Sequence, residues 1–323
     1  MGKSNNVLNR YFSDKRRFAD LFNGVYFNGN CVIKQEALED VSERYIEPTA
    51  VKVSTSNKTE NIERIRDIKM KLKSGETLTI LAIENQNQVD YSMPFRCMQY
   101  DTMEYGRQLE QLRKKNQEQD NFESWAERCC KIKKNDRLAP VYTLCIYHGE
   151  EPWDGPRSLR DMMDFGEDAD GMSNYFADYP MRLLCLNEEM DYSVFHTEIR
   201  KLFQIMPYRK NKKRLIQLLE SSAEYRHMDI ETVETLAVIL NDSRIWEDRE
   251  KYMIKDKQEE YDMCQAWKEL LEDARNEGIQ KGIQSLIEVC KTLGATWEMV
   301  RDALMEKFQL SMEDAQRYMQ MYW

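Results

Sequence analysis

Between Asp67 and Lys73 the apolar side chains of Ile68, Met70 and Leu72 alternate with Asp67, Lys69, Lys71 and Lys73. A period of two puts one set on each face of a half-buried strand. Lys73-Ser74-Gly75-Glu76 supplies turn chemistry, and the apolar, β-branched run Thr77 to Ile83 suits a more central strand. The two strands make a hairpin; with its turn centred on Ser74-Gly75, Leu72 is expected opposite Thr77 and Asp67 opposite Ala82. Glu84-Asn85-Gln86 closes the second strand. Alternation puts Glu84 and Gln86 on one face and turns the Asn85 side chain away, leaving its backbone carbonyl near that face's edge. A slip of one residue would send Asp67 to the opposite face from Glu84.

Upstream, Tyr11, Phe18, Leu21 and Phe22 predict a helix from Tyr11 to Asn23 with Lys15-Arg16-Arg17 on its wet side, broken by Gly24 and Asn28-Gly29-Asn30. A short apolar piece, Cys31 to Ile33, leads into a helix or turn through Leu38. Tyr45 to Val53 reads as extended and Ser54 to Asn61 as a polar loop. Downstream, Pro94 suits a first helical position, and Phe95, Met98, Thr102, Tyr105, Leu109 and Leu112 recur in steps of three and four, marking an amphipathic helix. Val141 to Tyr147 reads as a central strand and Met181 to Leu186 as the last one. From Asp191 onward helical periodicity prevails. A long charged helix is expected from Arg244 to Glu277. The apolar steps Ile279, Ile283, Leu286, Ile287 and Cys290 would then bury against a second subunit or against the tail helices, the last of which opens at the capping sequence Ser311 to Asp314. The expected organisation is an α/β core over 1–190, a helical extension over 191–243, and a long helix with a helical tail over 244–323 that could form a homo-oligomer.

Charged residues make up 32% of the 323 and apolar ones 41%, the balance of a globular protein with a heavily solvated surface. No run approaches the roughly 18 apolar residues of a membrane span and no signal-peptide core opens the chain, so a cytoplasmic protein without membrane partners is expected. Eight cysteines without a C-x-x-C pair, and three scattered histidines (His148, His196 and His227), argue against zinc and for reduced, buried thiols. A net charge of −10 argues against a protein that coats nucleic acid generally. Only contacted phosphates need neutralising, however, and basic clusters are present. The densest holds Arg209, Lys210, Lys212, Lys213 and Arg214; Arg113-Lys114-Lys115 and Lys131 to Lys134 are others. Each reads either as a DNA-backbone contact or as a solvated face.

Asp67, Glu84 and the Asn85 carbonyl are all oxygen ligands and suit a hard divalent cation such as magnesium. Such an ion polarises a phosphoryl oxygen and generates hydroxide near neutral pH. The amide of Gln86 does not titrate, but it can orient an attacking water. Phosphodiester hydrolysis is the chemistry these residues fit; an ordinary hairpin with solvated acids fits the same spacing.

Asp67, the hairpin and Glu84-x-Gln86, followed by Met93-Pro94-x-Arg96 and Tyr100, resemble the PD-(D/E)XK nuclease superfamily, and within it the recombination-promoting nuclease or transposase (Rpn) branch. Phe18 to Gly24 and Gly149-Glu150-Glu151-Pro152-Trp153 resemble the same group, so the similarity spans roughly the first two-thirds of the chain. The resemblance implies a mixed sheet flanked by helices and metal-dependent DNA cleavage, with magnesium or manganese as cofactor and DNA as partner. It makes Asp67 and Glu84 metal ligands and Asp20 a candidate extra acid, which reads otherwise as an exposed helical aspartate; Arg96 and Tyr100, an i, i+4 pair, are expected either to hold a phosphate or support the site, or to pack on the helix surface. Two departures stand out: Gln86 occupies the place where the superfamily more often has lysine, and Arg66 replaces the proline before Asp67. Loss of that lysine leaves open a second reading, a nuclease-like protein of little or no turnover that binds DNA or a partner.

Overall fold

The computed structural model describes residues 3–41, 67–74, 77–166, 169–240, 242, 244–254 and 260–323. Its centre is a five-stranded mixed sheet in the order β1 (Leu38–Asp40), β2 (Ile68–Ser74), β3 (Thr77–Gln86), β4 (Val141–Tyr147) and β5 (Arg182–Cys185). The pairs β1–β2 and β2–β3 are antiparallel; β3–β4 and β4–β5 are parallel. Parallel neighbours need a crossover, and between β3 and β4 it is made by helix α3 (Met93–Gln119). With a partner on each side, β3 is the central strand its apolar run predicts, and Ile80 to Asn85 are all buried.

The hairpin register differs from expectation by two residues. Ser74 lies opposite Thr77 and Leu72 opposite Thr79, because pairing continues to the ends of both strands instead of stopping at Leu72. An even offset preserves which residues share a face.

Two layers cover the sheet. Beneath α3 lie Lys69, Thr143 and their face-mates: Lys69 Nζ meets Glu104 at 2.6 Å, and the Thr143 hydroxyl donates to Asp101 at 2.6 Å. The opposite face receives α1 (Lys3–Phe12) and α2 (Lys15–Phe27), with Leu8, Phe12, Phe18 and Phe22 fully buried. The single helix expected from Tyr11 is thus two. Asp14 accepts the Arg17 N–H and starts a new helix at Lys15. Gly24 does not break α2. Its bare Cα admits the Phe195 ring, since a Cβ there would stand 2.3 Å from Phe195 Cε1. The helix stops instead at Asn28 and Gly29, both at positive φ. Leu38, expected in a helix or turn, begins strand β1. The extended segment and loop expected over 45–61 lie outside the described residues.

Contacts divide the chain into two units, Met1–Leu215 with Asp229–Ser243, and Ile216–Met228 with Arg244–Trp323. In the first, the helices Ile199–Ile205 and Ile230–Ile239 join the layer of α1 and α2. In the second, the long helix expected over 244–277 is replaced by one-turn helices Arg244–Glu247 and Arg249–Tyr252, a strand Glu260–Tyr261, and a helix Met263–Thr292 capped by Asp262. Ile283 and Ile287 on that helix bury against Val300, Leu304, Ala315 and Met319 of the tail helices. Among the described residues no helix is long and apolar enough to cross a membrane.

Candidate active site

Asp67 immediately precedes β2. Ile68 lies opposite Ile83, so Asp67, one residue earlier, sits beside the end of β3 next to Glu84 and Asn85. Hydrogen bonds confirm the proximity of the two chain ends. Asp67 Oδ2 accepts the backbone N–H of Asn85 at 2.7 Å, and Oδ1 accepts from Asn9 Nδ2 at 3.1 Å. Asn85 Nδ2 in turn donates to Asn9 Oδ1 at 2.5 Å. Asn9, on α1, therefore ties the start of β2 to the end of β3. No local pattern in the sequence marks it, because its partners lie 58 and 76 residues away.

Glu84 is 2% exposed and lies level with Cys145 of β4. Burial, with neighbouring Cys97 and Glu84, pushes the Cys145 thiol well up, so it stays protonated. Asn85 is fully buried. A residue's N–H and C=O leave a strand on the same side, so the Asn85 carbonyl is turned toward the β2 edge, where its N–H meets Asp67. Gln86, half-buried, shares the Glu84 face and is level with Tyr147; its carbonyl accepts the His148 N–H at 2.9 Å.

Burial raises the Asp67 carboxyl above its ordinary range, opposed by the Asn85 N–H, the Asn9 amide and the charge of Arg96. Arg96 reaches this field from the first turn of α3, held by Asp90 at 2.5 Å and donating to the buried Tyr100 hydroxyl at 3.3 Å. Burial alone would lower its pKa, but those two partners raise it. His148, 3% exposed at the end of β4, is brought down to about 4 by burial and by the Arg209 charge, and is neutral near pH 7.

Other residues singled out by sequence are occupied elsewhere. Buried Asp20 accepts the N–H groups of His196 and Thr197 and the Thr197 hydroxyl, fixing the segment ahead of helix Ile199–Ile205. In the basic cluster, Arg209 donates to the carbonyls of His148 and Gly149, and Lys210 pairs with Glu150 at 2.8 Å and Glu151 at 3.1 Å. Lys212, Lys213 and Arg214 remain exposed. The Asp67 carboxylate meets the backbone of Asn85, between Glu84 and Gln86, and the charge of Arg96, which is bonded to Tyr100, acts on it.

Magnesium or manganese would meet only oxygen donors here. Each Asp67 oxygen accepts one hydrogen bond and keeps a further lone pair. Among the described residues no three His, Cys, Asp or Glu side chains gather as a metal cluster. The chain would then contribute two carboxylates and a carbonyl, a partial set of the kind that holds magnesium when waters and substrate phosphates complete its shell. The donor chemistry fits a hard cation.

Sheet, crossover helix and flanking layers define a mixed α/β protein with its candidate polar site at one end of the sheet. Residues 66–236, a little over half of the chain, match the family described as "Putative transposase, YhgA-like", and the chain belongs to that family. The match takes in the hairpin, α3, β4, β5 and the 209–214 cluster. No curated protein and no solved structure gives a match.

Proposed function

We propose that the chain is a metal-dependent endodeoxyribonuclease that hydrolyses phosphodiester bonds of DNA at the Asp67 and Glu84 end of the sheet. The observation that supports this reading is the register of β2 on β3, which sets Ile68 opposite Ile83 and seats the Asp67 carboxylate on the Asn85 N–H, one residue from Glu84. Membership of a transposase-like family supports DNA as the partner. A magnesium or manganese ion, when bound, supplies Lewis-acid polarisation of the phosphoryl oxygen and hydroxide at neutral pH. Asp67 and Glu84 hold it, the Asn85 carbonyl adds a third oxygen, and the carboxamide of Gln86 aligns the attacking water through a hydrogen bond. An amide carries no charge, so Gln86 contributes position without charge compensation. Arg96 supplies positive field to the site, steadied by Tyr100. Lys212, Lys213 and Arg214 bind backbone phosphates.

Purified protein should nick supercoiled plasmid when magnesium is added. Asp67→Ala or Glu84→Gln should slow nicking by about 100-fold or more, since even groups that only support metal ligands cost about 10- to 100-fold. Undiminished cleavage by Asp67→Ala would overturn the assignment. The amide at Gln86 favours a second reading, DNA binding without turnover; salt-sensitive DNA retention with no cleavage in magnesium or manganese would select it.

A further inference from the structure

A second concavity of about 620 Å³ lies between the middle of β2 and β3, the α3 helix and the segment before β4. That lies within the roughly 300–1,000 Å³ of small-molecule sites. Ile80, level with the first residue of β4, lies in its floor, whereas Glu84 to Gln86 close β3 four to six residues on, about 13–20 Å away at ~3.3 Å per residue. The cleft is therefore separate from the proposed cleavage site.

Its lining has two characters. Ile80, Leu112 and Pro140 form an apolar floor, while Lys71, Arg107, Lys115 and Arg137 bring cationic groups to it. Lys71 is the cross-strand partner of Ile80, so floor and charge are fixed by one pair in the ladder. Among the described residues a single acid lines the cleft, Glu104, and it is already matched by Lys69 and by Arg107. Among the described residues Lys71, Lys115 and Arg137 make no ion pair; Glu39, opposite Lys71 in the ladder, pairs with Lys73. Like charges around one concavity repel, and an anion seated there relieves that repulsion.

The cleft wall is also held in place. Gln108 accepts the Ala139 N–H at 2.7 Å and donates to the Ala139 carbonyl at 3.2 Å, pinning the segment before β4 against α3. Exposed Gln111 stands at the rim with both an amide donor and an acceptor. Free phosphate would leave the apolar floor unused, and a neutral apolar molecule would leave the cations unused. A flat ring joined to a phosphate uses both.

We propose that this cleft binds a nucleotide, its phosphate on Lys71, Lys115 and Arg137, its base on the floor, and the Gln111 amide at the base edge. Calorimetric titration of the full chain with AMP, adenosine and inorganic phosphate tests it. AMP should bind at one site, at least about tenfold tighter than adenosine or phosphate, a gap of about 1.4 kcal/mol. The exposed-residue variant Lys115→Glu with Arg137→Glu, and the milder Lys115→Gln with Arg137→Gln, should weaken AMP by about tenfold or more. Asp67→Ala should leave AMP binding intact. The proposal is overturned if AMP does not bind, if phosphate binds as tightly, if both double variants bind AMP as wild type does, or if Asp67→Ala abolishes binding. It is equally overturned if duplex DNA, but not AMP, loses affinity in the double variants, which would make the cleft a backbone track.

Discussion

Burial pushes the Asp67 carboxyl up, and the Asn85 N–H, the Asn9 amide and the Arg96 charge push it back. A metal ligand must be ionised, so the acid limb of cleavage should lie above the roughly 3.9 of an unperturbed aspartate, with the rate falling as pH drops through it. The sign for stability is opposite. A carboxyl with a raised folded pKa is favoured folded when protonated, so its contribution is lost as pH rises through the window between its unfolded and folded values. Asn9→Ala removes one of the opposing donors. It should move the acid limb further up at fixed, subsaturating magnesium; an unmoved limb in the pH–rate profile would show that Asn9 does not tune this acid. Residues of this kind are invisible to local pattern. The alternation 67–73 and the end of the apolar run at Ile83 expose Asp67 and Glu84 as candidates, but Asn9 is joined to them only by the packing of α1 on the sheet.

At the scale of elements, period and turn chemistry reveal β2, β3, α3, β4 and β5, because each carries a long stretch of one period. What they leave open is register, since pairing depends on how far the ladder runs toward the turn. Breaks are also hard to read: Asp14 starts a helix inside an apparently continuous stripe, whereas Gly24 sits within one because Phe195 needs its space. The alternation assigns Lys69 to the polar face, where α3 buries it to 9% exposure and Glu104 neutralises it, with Arg107 alongside. Removing the acid from a buried ion cluster strands its cations away from water. Glu104→Leu should therefore cost about 3–5 kcal/mol in urea unfolding. A loss below about 1 kcal/mol would mean that the cluster relaxes into solvent.

For the whole molecule, a net charge of −10 means that DNA affinity must come from local cations. Arg209 and Lys210 are engaged within the protein, leaving Lys212, Lys213 and Arg214 as the exposed members of their cluster without an ion pair among the described residues. Each phosphate neutralised contributes about −0.9 to the slope of log affinity against log salt. Replacing those three with glutamine should make the slope shallower by about 3 in fluorescence-anisotropy titrations; an unchanged slope would place the DNA elsewhere. The tail was legible as helix but not as architecture. The face of Ile283 and Ile287 fits a second subunit or the chain's own last helices equally well by sequence, and the structure uses it for the latter.

In the proposed function Asp67 and Glu84 converge on one divalent ion. Crystals soaked in manganese test it by anomalous diffraction. A peak between the two carboxylates, about 2.0–2.3 Å from an oxygen of each, is the expected result. No peak there, with both acids bonded only to protein groups, would contradict it.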